Sequence, residues 1–180
     1  RNAIESWKKL GADIEVALCG KEHGTAEVAA EYGVKHIAGL AINHYGTPYV
    51  NSAFDAVRHA TSSELLCYAN SDIIFLSDFR RAVHRVRGRR CLLVGRRWDV
   101  DLTERWDYSH PESESRMSAM VEERGVPHSL WGLDYFLFRR EGGFDLMPPM
   151  VVGRPGWDNW MIFDARRRGV PVIDASRIVK

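Results

Sequence analysis

A chain of 180 residues with 45% hydrophobic and 27% charged side chains has room for one domain with a substantial core. Its formal net charge of +1 excludes the strongly basic balance of a general nucleic-acid binder, and no nucleic-acid partner is expected. No apolar run approaches the roughly 20 residues of a membrane span, and no signal peptide is visible.

Read in chain order, "NAIESWKKLG" places Ile4, Trp7 and Leu10 on one helical face, with Gly11 as a stop. "DIEVALC" reads as a short strand, "KEHGTAEVAAEYG" as a helix ending at Gly33, and "VKHIAGL" as a second strand. "NHYGTP" is a loop, and "YVNSAFDAVRHA" a helix with Val50, Phe54 and Val57 on one face. "SELLCYANSDIIFL" contains the third strand, and its "DIIFL" end has the continuous apolar character of a buried strand. "SDFRRAVHRVRG" predicts a helix capped by Ser77-Asp78 and stopped by Gly88, and "RCLLVGRRWDV" a fourth strand. Regularity then fades, with one helix predicted from about Glu112 to Glu123. "LDYFLFRRE" is a strand, "WDNWMIFDARRRG" a helix and "VPVIDAS" a last strand. The alternation of helix and strand predicts an α/β domain, a mostly parallel central sheet with helices on both faces. Ligands of such sheets bind beyond the carboxyl ends of the strands. The chain opens on Arg1 and on a helix, so it reads as a fragment or processed chain whose first strand lies upstream.

Cys19, Cys67 and Cys91 each lie in or at the end of an apolar run and match no zinc spacing. They read as small buried hydrophobes in a reducing compartment, which gives a cytoplasmic expectation. Between Arg80 and Arg97 the chain carries eight arginines and no acid. That run reads either as a solvated helix face and loop or as a patch for phosphates or an anionic membrane surface.

Three acidic positions are candidates for chemistry. Asn70-Ser71-Asp72 interrupts two apolar runs near the end of the third strand. A carboxylate there suits a divalent cation such as magnesium or manganese, bound together with substrate phosphates, or else it caps a turn. Asp158 opens the helix after "GRPG", flanked by Trp157, Asn159 and Trp160. It reads either as a first-turn acid favoured by the helix dipole or as a general base beside aromatic faces that hold a sugar ring. Asp134, in "WGLDYF" with Trp131, either binds a substrate hydroxyl or ends a turn. The seven histidines show no HxxxH or HxH spacing, although His110 and His128 lie where either could supply a single ligand. GxGxxG, GxxxxGK[ST] and GxSxG are all absent, which argues against dinucleotide, P-loop and serine-hydrolase chemistry.

The stretch "INHYGTPYVNSAFDAVRHATSSELLCYANSDIIF", followed later by "GWDNWMIFDARRRGVPVID", resembles a GT-A-fold glycosyltransferase of the family 2 type. The resemblance runs from about Arg1 to Ser176. It aligns Asn70-Ser71-Asp72 with an Asp-x-Asp motif whose first acid is here Asn, and Asp158 with the acid that deprotonates the acceptor in inverting members. It implies a Rossmann-like fold with a nucleotide-sugar-binding half, 1–101, and an acceptor-binding half, 102–180. It further implies a UDP- or GDP-sugar donor, a carbohydrate or other hydroxyl acceptor, and a manganese or magnesium ion held by Asp72. Asn43, Asn51 and Asn70 become donor contacts, and Trp131, Asp134, Trp157 and Asn159 the acceptor side. Two other readings stay open: a nucleotidyltransferase making nucleotide sugars, and a degenerate, non-catalytic sugar- or partner-binding protein.

Overall fold

The computed structural model describes residues 1–129, 132–141 and 144–180. Its mixed α/β architecture has six helices and eight strands among the described residues. Helix α1 (Asn2–Lys9) buries Ala3, Ile4 and Ser6. Strand β1 (Ala17–Cys19) leads to α2 (Thr25–Tyr32), which stops at Gly33 in the left-handed region with φ of 62°. The bonds that end it run from Gly33 N–H to the Ala30 carbonyl (3.2 Å) and from Val34 N–H to the Ala29 carbonyl (3.0 Å), a geometry that favours glycine. Strand β2 (Lys35–Ile37), helix α3 (Val50–Ala60) and strand β3 (Leu65–Ala69) follow. Helix α4 (Ser77–Val86) leads to β4 (Leu92–Gly95). The irregular segment holds β5 (Trp98–Asp99), α5 (Ser113–Arg124) and β6 (Val126–Pro127). Strand β7 (Tyr135–Arg139), helix α6 (Trp157–Arg167) and strand β8 (Val172–Asp174) complete the order. No helix among the described residues is long and apolar enough to cross a membrane.

The sheets are small and mixed, which corrects the expectation of one mostly parallel central sheet. β1 pairs with β2 in parallel, and a separate sheet has the order β3-β7-β4-β8. β7 runs antiparallel to both neighbours, whereas β4 and β8 are parallel. The reason lies in the segment between β4 and β7. β5 and β6 pair as a short antiparallel ribbon just past β4, and Asp134 N–H bonds the Gly95 carbonyl at 3.2 Å. The chain therefore re-enters the sheet at the end where it left, and the strand can only run back. β7, from the second expected half, sits between β3 and β4 from the first, so both halves build this sheet.

Helices do cover both faces of the four-stranded sheet. Alternate residues point to opposite sides. Leu93, Tyr135 and Leu137 join Leu10, Phe79 and Val86 in one core. Leu92, Val94, Phe136 and Phe138 join Val50, Phe54, Trp157 and Met161 in the other. Gly95 lies opposite Tyr135, and a Cβ there would collide with the tyrosine hydroxyl.

Three local expectations are corrected. "DIIFL" is not strand, because its backbone bonds to α1 instead of to a neighbouring strand. Phe75 N–H donates to the buried Ser6 hydroxyl (3.1 Å), and Trp7 Nε1 donates to the Ile73 carbonyl (2.9 Å). The residues are buried as expected, with Ile73 and Phe75 in the first core. α4 has Leu76 at its N-cap and no side-chain cap, whereas its stop is as expected, with Gly88 at φ of 80° just past the C-cap Arg87. Asp78 instead accepts from Phe79 N–H (2.6 Å) and Lys180 N–H (3.0 Å), and burial raises its pKa against those bonds. The third correction is Cys67. Cys91 is buried and Cys19 half-buried, but Cys67 is exposed. Its thiol is nonetheless pushed up to about 12 by the protein around it.

Cys67 lies on β3, whose far edge has no strand partner among the described residues, and the same holds for one edge of β1. The two sheets are tied near the starts of these strands. Thr61 Oγ1 donates to Glu15 Oε1 at 3.1 Å, and Lys35 Nζ donates to the Ala60 carbonyl at 2.9 Å.

Candidate functional site

β3 ends at Ala69, paired with Tyr135, which sets Asn70 against Asp134. Asn70 N–H donates to the Asp134 carbonyl (3.0 Å), and its Nδ2 donates to Asp134 Oδ1 (3.0 Å). Ile73 N–H returns to the Asn70 carbonyl at 3.1 Å, so 70–73 is a tight turn at the strand's carboxyl end. Asp72 stands exposed on this turn, and its carboxylate has no hydrogen-bond or ion-pair partner among the described residues. Its charge is felt at the Tyr68 hydroxyl, which is pushed up to about 12, first by burial, then by Cys19 and Asp134, with Asp72 adding to them.

Asp134 is only 2% exposed and is the hub beneath that turn. Its Oδ1 accepts from Arg97 Nη1 at 2.6 Å, and its Oδ2 from Arg97 N–H at 3.4 Å. Arg97 Nε reaches Asp99 Oδ1 at 2.6 Å, and Asp99 Oδ2 lies 2.7 Å from His128 Nδ1. Burial works against the Arg97 charge, but the bonds to Asp99 and Asp134 outweigh it and hold the guanidinium pKa above its usual value. The Asp99 carboxyl is held below the usual range, by His128 first and then by Arg97. The network therefore fixes the ends of β3, β4 and β7 to the β5–β6 ribbon.

The other candidates fall into place around this end. Trp157, the first residue of α6, packs on Tyr68 (4.8 Å between ring centroids) and Phe136 (5.0 Å). The start of α6 thus lies beside the carboxyl half of β3. Asp158 is half-buried there, and its Oδ1 accepts from Gly156 N–H (3.2 Å) and Asn159 N–H (2.8 Å). Its Oδ2 has no partner among the described residues. The segment before α3 meets the segment before α6: Tyr49 bridges Val151, and Val50 N–H donates to the Met150 carbonyl at 2.8 Å. That sets the start of α3 against the segment leading into α6, and the Asn51 Oδ1 there is buried and unpartnered among the described residues. Asn43 shapes its own loop, its Oδ1 accepting from Tyr45 N–H and Thr47 N–H, both at 2.9 Å.

Asp134 is buried, and its carboxylate bonds Asn70 and Arg97 beneath the turn. Trp157 is a core anchor, which leaves Asp158 and exposed Asn159 as the open groups at the start of α6. Trp131 lies outside the described residues. Sequence reasoning missed Arg97 and Asp99 as part of the site, because two-residue strands carry no periodic signal. The pairing of Asp99 with His128, 29 positions apart, exists only through the β5–β6 ribbon.

No group of three or more His, Cys, Asp or Glu converges as a metal cage among the described residues. Asp72 offers one exposed carboxylate without a protein partner among the described residues. One carboxylate completed by water and phosphate oxygens is a donor set that magnesium and manganese accept. No protein-family model matches the chain, and no curated protein matches it.

Proposed function

We propose that this end of the sheet is a binding site for a nucleoside diphosphate. More narrowly, the chain acts as a family 2-like GT-A glycosyltransferase domain that moves a sugar from a nucleotide-diphosphate donor to an acceptor hydroxyl. The observation that carries the reading is the placement of Asp72: an exposed, unpartnered carboxylate on a tight turn at the carboxyl end of β3, fixed from below by Asn70 and buried Asp134. Such strand ends are where open α/β sheets bind ligands. Asp158, with an oxygen free of protein partners, opens α6 beside the same strand.

In this reading Asn70, whose Oδ1 is left open, orients the donor's ribose or sugar, and Asn51 Oδ1 is a second acceptor for donor hydroxyls. The Asp72 carboxylate would hold manganese or magnesium, which when bound would supply positive charge against the charge developing on the diphosphate. The acceptor oxygen attacks the anomeric carbon from the face opposite the diphosphate. A carbon–oxygen bond forms as the bond to the diphosphate oxygen breaks, and that bond's electron pair leaves with the nucleoside diphosphate. The acceptor's proton passes to the Asp158 carboxylate, and configuration inverts.

A second reading, a non-catalytic sugar-binding domain, is favoured by one feature: Asn70 stands where the motif's first acid would be, and its amide is spent on Asp134. Turnover separates the two. With a UDP-sugar or GDP-sugar and manganese, release of the free nucleoside diphosphate is expected from the wild type, slow when water is the only acceptor. Asp72→Ala and Asp158→Asn are each expected to reduce it at least 100-fold, the lower range for removing a group that acts in the transition state. Donor binding without release in the wild type would favour the binding domain.

A further inference from the structure

The eight arginines between Arg80 and Arg97 do not act as one patch. Arg80 bonds Asp13 and the Leu10 carbonyl, Arg81 bonds Ser77, Arg96 bonds the His128 carbonyl, and Arg97 belongs to the Asp134 network. The other four, Arg85, Arg87, Arg89 and Arg90, are exposed at the end of α4 and in the turn before β4, with no ion pair among the described residues.

The fold brings a second basic segment to them. β4 and β8 start side by side, Leu92 opposite Val172, and Leu92 N–H donates to the Pro171 carbonyl at 2.9 Å. The turn before β8 therefore adjoins the turn before β4, and Arg90 and Arg168 line one recess. The end of α6 adds exposed Arg166 and Arg167. The acids nearby are already answered: Asp164 is buried against Arg167 and Arg168, Glu64 pairs with Arg139, and Glu141 with Arg140. One turn before Arg166 and Arg167, on the same helical face, Phe163 is 62% exposed.

The geometry points to a docking surface for an anionic phospholipid bilayer, made of the turn before β4 and the end of α6. Arg85, Arg87, Arg89, Arg90 and Arg166, which no acid answers among the described residues, supply attraction to acidic headgroups, and the exposed phenylalanine supplies an apolar wedge for the interface. The blunt shape, two adjoining turns and a helix end, suits a planar surface better than the extended track that a nucleic-acid strand needs. The net charge of +1 also confines the attraction to this face. The face lies at the amino ends of β4 and β8, opposite the Asn70–Asp72 turn, so a docked protein would keep its candidate site turned toward solvent. This inference does not depend on the transferase reading.

Co-sedimentation with phosphatidylcholine vesicles, with and without phosphatidylglycerol, tests it. At low salt the protein is expected to bind the mixed vesicles, to ignore pure phosphatidylcholine, and to be released as salt rises. R87Q/R89Q/R90Q is expected to weaken binding on the order of 100-fold, at about fivefold per arginine, and Phe163→Ser severalfold. These positions are exposed, so the melting temperature should hold in both variants. No binding to mixed vesicles, equal binding to neutral ones, or full binding by the triple variant would overturn the proposal. So would duplex DNA that binds as tightly and displaces the vesicles, since the surface would then be a polyanion site.

Discussion

Asp134→Ala is expected to lower the free energy of unfolding by about 3 kcal/mol, the low end for breaking a buried ion pair by removing one partner. Asp134 is 2% exposed and accepts from both Arg97 and Asn70. Its loss strands the Arg97 guanidinium over an empty position and leaves the Asn70 amide unpaired. The loss stays at the low end because Arg97 keeps Asp99 as a second partner. Asp134→Asn keeps a polar group toward Asn70 and should cost less. Urea unfolding followed by tryptophan fluorescence measures both, and a wild-type midpoint for Asp134→Ala would remove this residue from the account. The network also holds the Asn70–Asp72 turn, so donor binding should weaken in Asp134→Ala even in the fraction that stays folded.

Phe136→Ala is expected to cost about 4 kcal/mol, the middle of the range for truncating a buried aromatic. Phe136 is fully buried in β7, between Tyr68 on β3 and Val94 on β4 and against the Trp157 ring. The cavity would open in the layer that carries α6, and with it Asp158. A thermal melt should fall by roughly 10 °C, with Phe136→Leu losing a small part of that. An unchanged melt would mean that α6 is held by something other than this core.

The helices were largely legible in the sequence because each carries a long signal. The spacing of Ile4, Trp7 and Leu10, the stop at Gly33 and the buried side of "WDNWMIFDARR" are local, and they fold as read. Sheet order was not legible, because pairing depends on where a connection returns. Nothing local to "LDYFLFRRE" says that the ribbon of Trp98 with Pro127 brings the chain back to the end of β4. "DIIFL" misled for a related reason: apolar content reports burial, not pairing, and Ser6 and Trp7 supply its backbone partners from a helix. In the candidate site, the turn at Asn70 and the helix start at Asp158 stood where strand ends and caps predicted them. The hub role of Asp134 did not, because it rests on Arg97, 37 positions away. The two tryptophans around Asp158 resolve by packing, Trp157 into the core against Tyr68 and Trp160 half-buried against Phe144.

The most direct test of the nucleotide-sugar reading is a calorimetric titration with UDP and with GDP, with and without manganese, on the wild type and on Asp72→Ala. The account predicts that at least one nucleoside diphosphate binds the wild type, that binding needs the metal, and that Asp72→Ala abolishes it while the protein stays folded. A folded wild type that binds neither nucleotide, or binding that is indifferent to both manganese and Asp72→Ala, would contradict it.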